Sequence, residues 1–300
     1  MKITKKGTQQ YLFGDNIHYE NVPSLIKWTG SKRSQVKHLI KFIPEYNRYI
    51  EPFLGGGSML YLLAKPNSLA SDLYEPLIEF WKIVKANPLS IIADYEEKWN
   101  KLDKELNSYN SNALPIDKKI PETFYSIRDS FNETKNPYDL NFIMRTCVNG
   151  IVRFNDKGFF NNSFHLSRRG MHPKRFKLIV ESWHDRIKDV EFVTQDYTEA
   201  VKEAGSSDFI YFDPPYASNK QRYIADLDIE IFFNTLEQLN SKGVKWGLSF
   251  DGIRGQTNLI HNVPKEIYKN HYLIHSGKSA VHKVLNGHIE DVTESFYTNF

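Results

Sequence analysis

The sequence predicts an α/β protein, a parallel sheet wound with helices and interrupted by a mainly helical insertion. Two observations carry this. At both ends of the chain, short apolar runs that stop at glycine or proline alternate with stretches of helical period. Between roughly residues 90 and 186 the alternation stops and strand signals become sparse. The balance of 25% charged and 40% hydrophobic residues over 300 positions is that of a soluble globular protein. No apolar run reaches the ~18 residues of a transmembrane helix. The single cysteine, Cys147, rules out a disulfide framework and a multi-cysteine zinc site, and no metal is expected.

Taken in order, residues 1–23 read as a polar arm packed on the body. MKITKKGTQQYLF lacks the apolar core of a signal peptide, so a cytoplasmic location is expected. KRSQVKHLIKFI (32–43) places Val36, Leu39, Ile40 and Ile43 on one face and predicts an amphipathic helix. RYIEPF predicts a strand, the glycines 55–57 a turn, and Ser58 the start of a second helix. SLASDL and EPLIEFWKIVKANP predict a strand and a helix. An Asn/Ser-rich connector (107–112) and a Gly/Asn/Arg-rich stretch mark the insertion, bounded as 91–186. The sheet then resumes with VEFVTQD, DFIYF, a helix over DIEIFFNTLEQLNSK, and KWGLSF. EIYKNHYLI and ESFYTNF predict a closing hairpin around a basic loop. The catalytic sheet is thus expected over 24–90 and 187–300.

Three segments carry candidate chemistry. EPFLGGGSM (51–59) sets a glycine turn between strand and helix, where Gly55 and Gly57 let a ligand approach backbone amides. It is neither a P-loop nor a GxGxxG motif. Asp72 ends the next strand, where a carboxylate can bind a ribose or cap the following helix. Asp213-Pro214-Pro215-Tyr216 follows the buried run DFIYF, at the strand's carboxyl end, where open α/β sheets bind ligands. It supplies an anion, a carbonyl acceptor and a stacking ring in one stiff turn. Those are the parts needed to hold a planar base by an exocyclic amine. Lys27 to Lys32 (KWTGSK) adds a flat face in Trp28 and a cation in Lys32.

Charge is uneven. The net charge is +3, yet Arg145–Arg186 holds nine Lys/Arg against three acids. Interleaved with aromatics, this suits a polyanion, although a solvated surface reads the same way.

Together the segments resemble the D12 class of DNA adenine-N(6) methyltransferases, in the order KWTGSK, FLGGG, an inserted recognition region, DPPY. FYSIRDSFN, MRTCVNGIVRFNDKGFFN and the ending ESFYTNF are similar to that family as well. The resemblance covers most of 24–300; residues 1–23 fall outside it. NNSF (161–164) lacks the family's proline and Met144 replaces a common asparagine, which touches the recognition sequence and not the reaction.

The resemblance implies a Rossmann-like methyltransferase sheet with an inserted target-recognition subdomain, S-adenosyl-L-methionine as cofactor and double-stranded DNA as partner. Trp28, Lys32, Asp72 and Asp213 would contact the cofactor, Gly55 and Gly57 would approach its methionine portion, and Phe53 would line the pocket. Asp196 is a further pocket candidate, or else part of a surface turn. Asp213 and Pro214 would hold the adenine amine and Tyr216 would stack on a base flipped from the duplex. Arg153 would read a base edge, and Asn149 of the same NGIVRFN segment would also bind DNA. Arg168, Arg169, Lys174 and Arg175 would meet phosphates. A cognate restriction endonuclease acting on the same site, without stable complex, is a possible companion. The alternatives are an adenine methyltransferase acting on RNA or nucleotides, and an inactive nucleic-acid-binding module. Cytosine-carbon methylation needs a cysteine nucleophile, for which Cys147 is wrongly placed.

Overall fold

The computed structural model describes residues 22–111, 120–215, 227–254, 257–258, 263–278 and 291–300. Five parallel strands run in the order β3 (Glu191–Thr194), β2 (Leu69–Asp72), β1 (Arg48–Glu51), β4 (Asp208–Phe212) and β5 (Lys245–Arg254). The sheet is completed by β8 (Asp291–Thr298), antiparallel to β5, and β7 (Asn270–Lys278), antiparallel to β8. The two-residue β6 (Thr257–Asn258) pairs back on β5. The expected closing hairpin is therefore present, with its basic loop outside the described residues.

Every residue of β4 is buried, because the sheet is covered on both faces. Alternation along the strand divides its side chains. Phe209 and Tyr211 join one core with the inserted helices, while Ile210 and Phe212 join a second core under α8 (Tyr197–Val201) and α9 (Ile229–Ser241). β1 does the same with Tyr49 and Ile50. Both faces thus clamp the two central strands, and the order reverses between β1 and β4, opening a crevice at their carboxyl ends.

The helix expected over 32–43 is instead broken. A one-turn α1 (Val36–Leu39) lies between 3-10 turns at Lys32–Ser34 and Ile40–Phe42. Pro44 holds Ile43 extended, with ψ 128°, and Lys32 is buried toward the crevice. After the glycine turn, α2 is only Leu60–Leu63, whereas α3 (Glu75–Ala86) runs as expected. The Asn/Ser-rich stretch is no connector as far as Ser111: it forms the last turns of α4 (Pro88–Ser111).

Beyond α4 come α5 (Glu122–Thr134), α6 (Pro137–Thr146) and α7 (Pro173–Ile187). Asn136 and His172 cap α6 and α7 by accepting from Tyr138 N and Lys174 N, with proline at the first helical position of each. Phe142, Ile143, Met144 and Trp183 from these helices share one core with Tyr49 and Phe209 of the sheet. Trp183 sits 4.7 Å from Trp81 of α3, which stacks at 6.0 Å on Phe192 of β3.

Candidate active site

The crevice at the β1/β4 switch holds about 1020 Å³ of empty space, mouth included, enough for a nucleoside-sized ligand. It is lined by Trp28 to Lys32, by Glu51 and the 53–59 turn, by Asp72 to Tyr74, by Tyr211, and by Asp213 to Pro215. Of the residues expected there, Trp28, Lys32, Phe53, Gly55, Gly57, Asp72, Asp213, Pro214 and Pro215 all meet in this one cleft. Tyr216 lies outside the described residues.

The glycine turn takes its shape from two left-handed residues, Gly55 at φ +47° and Gly57 at φ +64°. A Cβ on Gly55 would stand 2.8 Å from Trp28 Cδ1, so the indole lies directly on the turn. Gly57 faces Trp81 and Trp183, each 3.2 Å from a notional Cβ. Ser31 Oγ and Ser58 Oγ, 2.9 Å apart, tie the KWTGSK segment to the same turn.

Asp72 bridges two loops rather than capping α3. Its carboxylate accepts from Gly55 N at 3.0 Å and from Tyr74 N at 3.1 Å. Burial pushes its pKa up, and the amide bonds from Gly55, Tyr74 and Leu73 oppose that. A carboxylate offers about four lone-pair directions, so the outer ones can still accept ligand hydroxyls. Phe53 stacks on Tyr197 at 5.3 Å, forming the wall toward α8. Asp196 is not among the lining residues; it caps α8, accepting from Thr198 N at 3.0 Å and Thr198 Oγ1 at 2.6 Å.

Asp213 emerges from β4 and its Oδ1 accepts from Lys32 Nζ at 2.5 Å. Lys32, only 3% exposed, also donates to Gly30 O at 3.1 Å and lies 3.5 Å from Glu294 Oε2 on β8. Beneath them Glu51 is buried, accepting from Tyr49 Oη at 2.8 Å. Burial pushes its carboxyl well above the usual range, and the charge of Asp213 adds to the rise against the opposing Tyr49 bond. Sequence reasoning missed Glu51 and Glu294 as site residues, although both stand in quoted motifs, EPFLGGGSM and ESFYTNF.

The raised Glu51 gives a prediction for stability. Below the unfolded pKa both states are protonated, and Glu51 costs nothing. As pH rises above it, the unfolded chain ionises first, and the fold loses stability until the folded pKa is reached, by up to about 1.4 kcal/mol per pH unit. Glu51→Gln should therefore melt like the parent near pH 4 and above it at pH 8. Equal melting differences at both values would contradict a raised Glu51 pKa.

The basic insertion is less available than its count suggests. Arg145 is buried, donating to the Ser24 and Leu25 carbonyls, and desolvation lowers its pKa to about 10. Arg186 donates to Tyr61 O and Leu62 O at the end of α2. Arg169 pairs with Asp103 and Asn107 of α4, so it ties a loop to a helix. Arg168, Lys174 and Arg175 are exposed.

Residues 152–164 form a narrow hairpin-like loop, bridged at Phe154 and Phe160, with Val152 lining the cleft. Arg153 is exposed on it, donating from Nε to Asn161 Oδ1 at 2.8 Å. Asn149, at φ 58°, turns the chain into this loop and is exposed. Aromatic contacts lead inward, from Phe154 to Tyr74 at 5.7 Å and from Tyr74 to Trp28 at 5.9 Å.

A parallel sheet closed by an antiparallel pair, with a glycine turn after β1 and an acid-proline-proline turn after β4, defines a Rossmann-like methyltransferase. The family model for the D12 class N6 adenine-specific DNA methyltransferases matches residues 28–281, and the chain belongs to that family. Its curated relatives include the type II methyltransferase M1.LlaDCHI of Lactococcus lactis subsp. cremoris, 28% identical over 93% of this chain and 96% of that protein. The type II methyltransferase M.MjaIII of Methanocaldococcus jannaschii is 34% identical over 65% of this chain and 69% of its own length. A DNA adenine methylase of Vibrio cholerae is 28% identical over 65% of each. The protein is thus an adenine-specific DNA methyltransferase. Among the described residues no helix is long and apolar enough to cross a membrane, and no cluster of potential metal ligands occurs.

Proposed function

We propose that the cleft binds S-adenosyl-L-methionine and methylates the 6-amino group of adenine at a specific site in duplex DNA. The observation that carries this is the convergence of the left-handed glycine turn under Trp28 with the Asp213-Pro214 turn in one cleft. The residues suit the cofactor. Asp72 would take its ribose, Trp28 and Phe53 its flat apolar part, and the Gly55–Gly57 turn its amino-acid end. The Asp213 carboxylate lines the cleft and offers a negative group to a sulfonium cation. When bound, S-adenosyl-L-methionine supplies an electrophilic methyl group.

An adenine amine is a weak nucleophile because its lone pair is delocalised into the ring. Asp213 and the Pro214 carbonyl, accepting from the two N–H bonds, would localise that pair on nitrogen. Asp213 also stands as acceptor for the proton the nitrogen sheds after the new bond forms. Catalysis on this reading is positioning and electrostatics. The base must leave the duplex to reach the turn, and Tyr216 would stack on it. Modification-sensitive sequencing of DNA from expressing cells should show N6-methyladenine at one short motif. Unmodified DNA from cells containing soluble protein sinks the proposal. A role beside a restriction endonuclease predicts, in addition, that this DNA resists a nuclease of the same specificity.

We assign target recognition to the insertion, 91–186. Arg153, with Asn161 fixing its plane, would read a base edge, Asn149 shapes the same loop, and the exposed Arg168, Lys174 and Arg175 would meet phosphates. Arg153→Ala should cost about 1–3 kcal/mol of discrimination at one base pair. Lys174→Ala should instead weaken all sequences alike and reduce the salt slope by about one unit. Binding to a panel of single-base variants distinguishes these. A uniform loss with Arg153→Ala would return that residue to a structural role.

A further inference from the structure

We propose that Glu294 is a positioning residue for methyl transfer, sharing the Lys32 ammonium with Asp213 so that the Asp213 carboxylate stays a strong acceptor for the adenine amine. This rests on Asp213 being the group that receives that amine. The ESFYTNF motif carries Glu294 into the site, since β8 lies beside β5 and turns Glu294 toward Lys32 across the sheet end. Three oxygens converge on Lys32 Nζ: Gly30 O at 3.1 Å, Asp213 Oδ1 at 2.5 Å and Glu294 Oε2 at 3.5 Å.

The electrostatics explain why a second carboxylate is useful. A buried ammonium bound to one carboxylate alone would hold most of its electron density and leave a poor acceptor. Divided between two, it orients Asp213 without neutralising it. Glu51 lies beneath the same cluster with its carboxyl pushed well up by burial. Carboxylates of Asp213 and Glu294 beside Lys32 suit an amine nitrogen that becomes positive as it attacks. Removing Glu294 would take a negative group away from the cluster at the moment positive charge develops.

The test uses the full chain in single-turnover methylation of its DNA site, with S-adenosylhomocysteine binding followed by calorimetry. Glu294→Gln should slow methyl transfer by about tenfold or more while holding S-adenosylhomocysteine affinity within about threefold. Glu294→Asp, which keeps the charge on a shorter arm, should recover part of the rate, and it carries the test if the amide variant does not fold. A role exerted through Lys32 makes the two residues non-additive. In a Lys32→Met background, Glu294→Gln should change the rate by no more than about twofold. An unchanged rate in the single variant, an equal loss in both backgrounds, or a parallel loss of S-adenosylhomocysteine binding each overturns the proposal. Asp213→Asn is run alongside. If it retains full activity, the Asp213 assignment itself falls; if it is inactive while Glu294→Gln is normal, only the role of Glu294 falls.

Discussion

Asp213→Ala is expected to lower methyl transfer by about 10²–10³-fold, the usual cost of removing a group aimed at charge that develops in the transition state. The protein should melt within a few degrees of the parent, about 1 kcal/mol or less of stability. The side chain stands at the end of β4, 19% exposed, and contributes nothing to either core. Lys32 would not be stranded, because Glu294 and the Gly30 carbonyl stay beside it. Labelled-methyl incorporation into DNA measures the effect, and near-parental incorporation would remove Asp213 from the mechanism. A large fall in melting temperature would show that the strand end depends on the Lys32 pair for its fold.

Trp183→Ala should produce the largest loss of stability, about 3–5 kcal/mol, seen as a fall on the order of 10 °C in melting temperature. The indole is fully buried, 4.7 Å from Trp81 and 4.8 Å from Tyr61, and its Nε1 donates to Pro23 O at 2.8 Å. It also walls Gly57, so cofactor affinity should fall with stability. Leu178 lies on the same helix but is 66% exposed, and Leu178→Ala should change stability by no more than about 0.5 kcal/mol. Similar melting curves for the two variants would contradict the proposed anchoring of the turn by α7.

The strands were legible because a parallel strand covered on both faces is a plain apolar run, as DFIYF is, and because glycine and proline mark where each stops. The cleft was legible for the same reason: its loops sit next to those strands. The first helix was misjudged, since the apolar spacing of 32–43 does not reveal that Lys32 is drawn into the cleft or that 3-10 turns flank Val36–Leu39. The direct pairing of Lys32 with Asp213, and the place of Glu51 and Glu294 beside it, were not legible for a different reason. Lys32 and Asp213 are 181 positions apart, and nothing local to either announces the other. Counting charges misled in the insertion, because Arg145 and Arg186 serve backbone carbonyls and Arg169 serves α4. A charge count does not distinguish a guanidinium facing solvent from one that replaces a missing hydrogen-bond donor.

The bonds from Arg145 to the Ser24 and Leu25 carbonyls have a consequence for exchanging specificity between relatives. Trp183 holds Pro23 in the same way, and Val152 N donates to Thr29 Oγ1 at 3.2 Å. Residues 22–29 are therefore sewn to the inserted segment by hydrogen bonds at four points. A chimera that transplants 91–186 alone would set a foreign guanidinium and indole against carbonyls they did not evolve to meet. Crossover points placed so that 22–29 travel with the insertion keep those bonds within one parent. Hybrids built that way should fold more often than hybrids cut at the insertion's own ends.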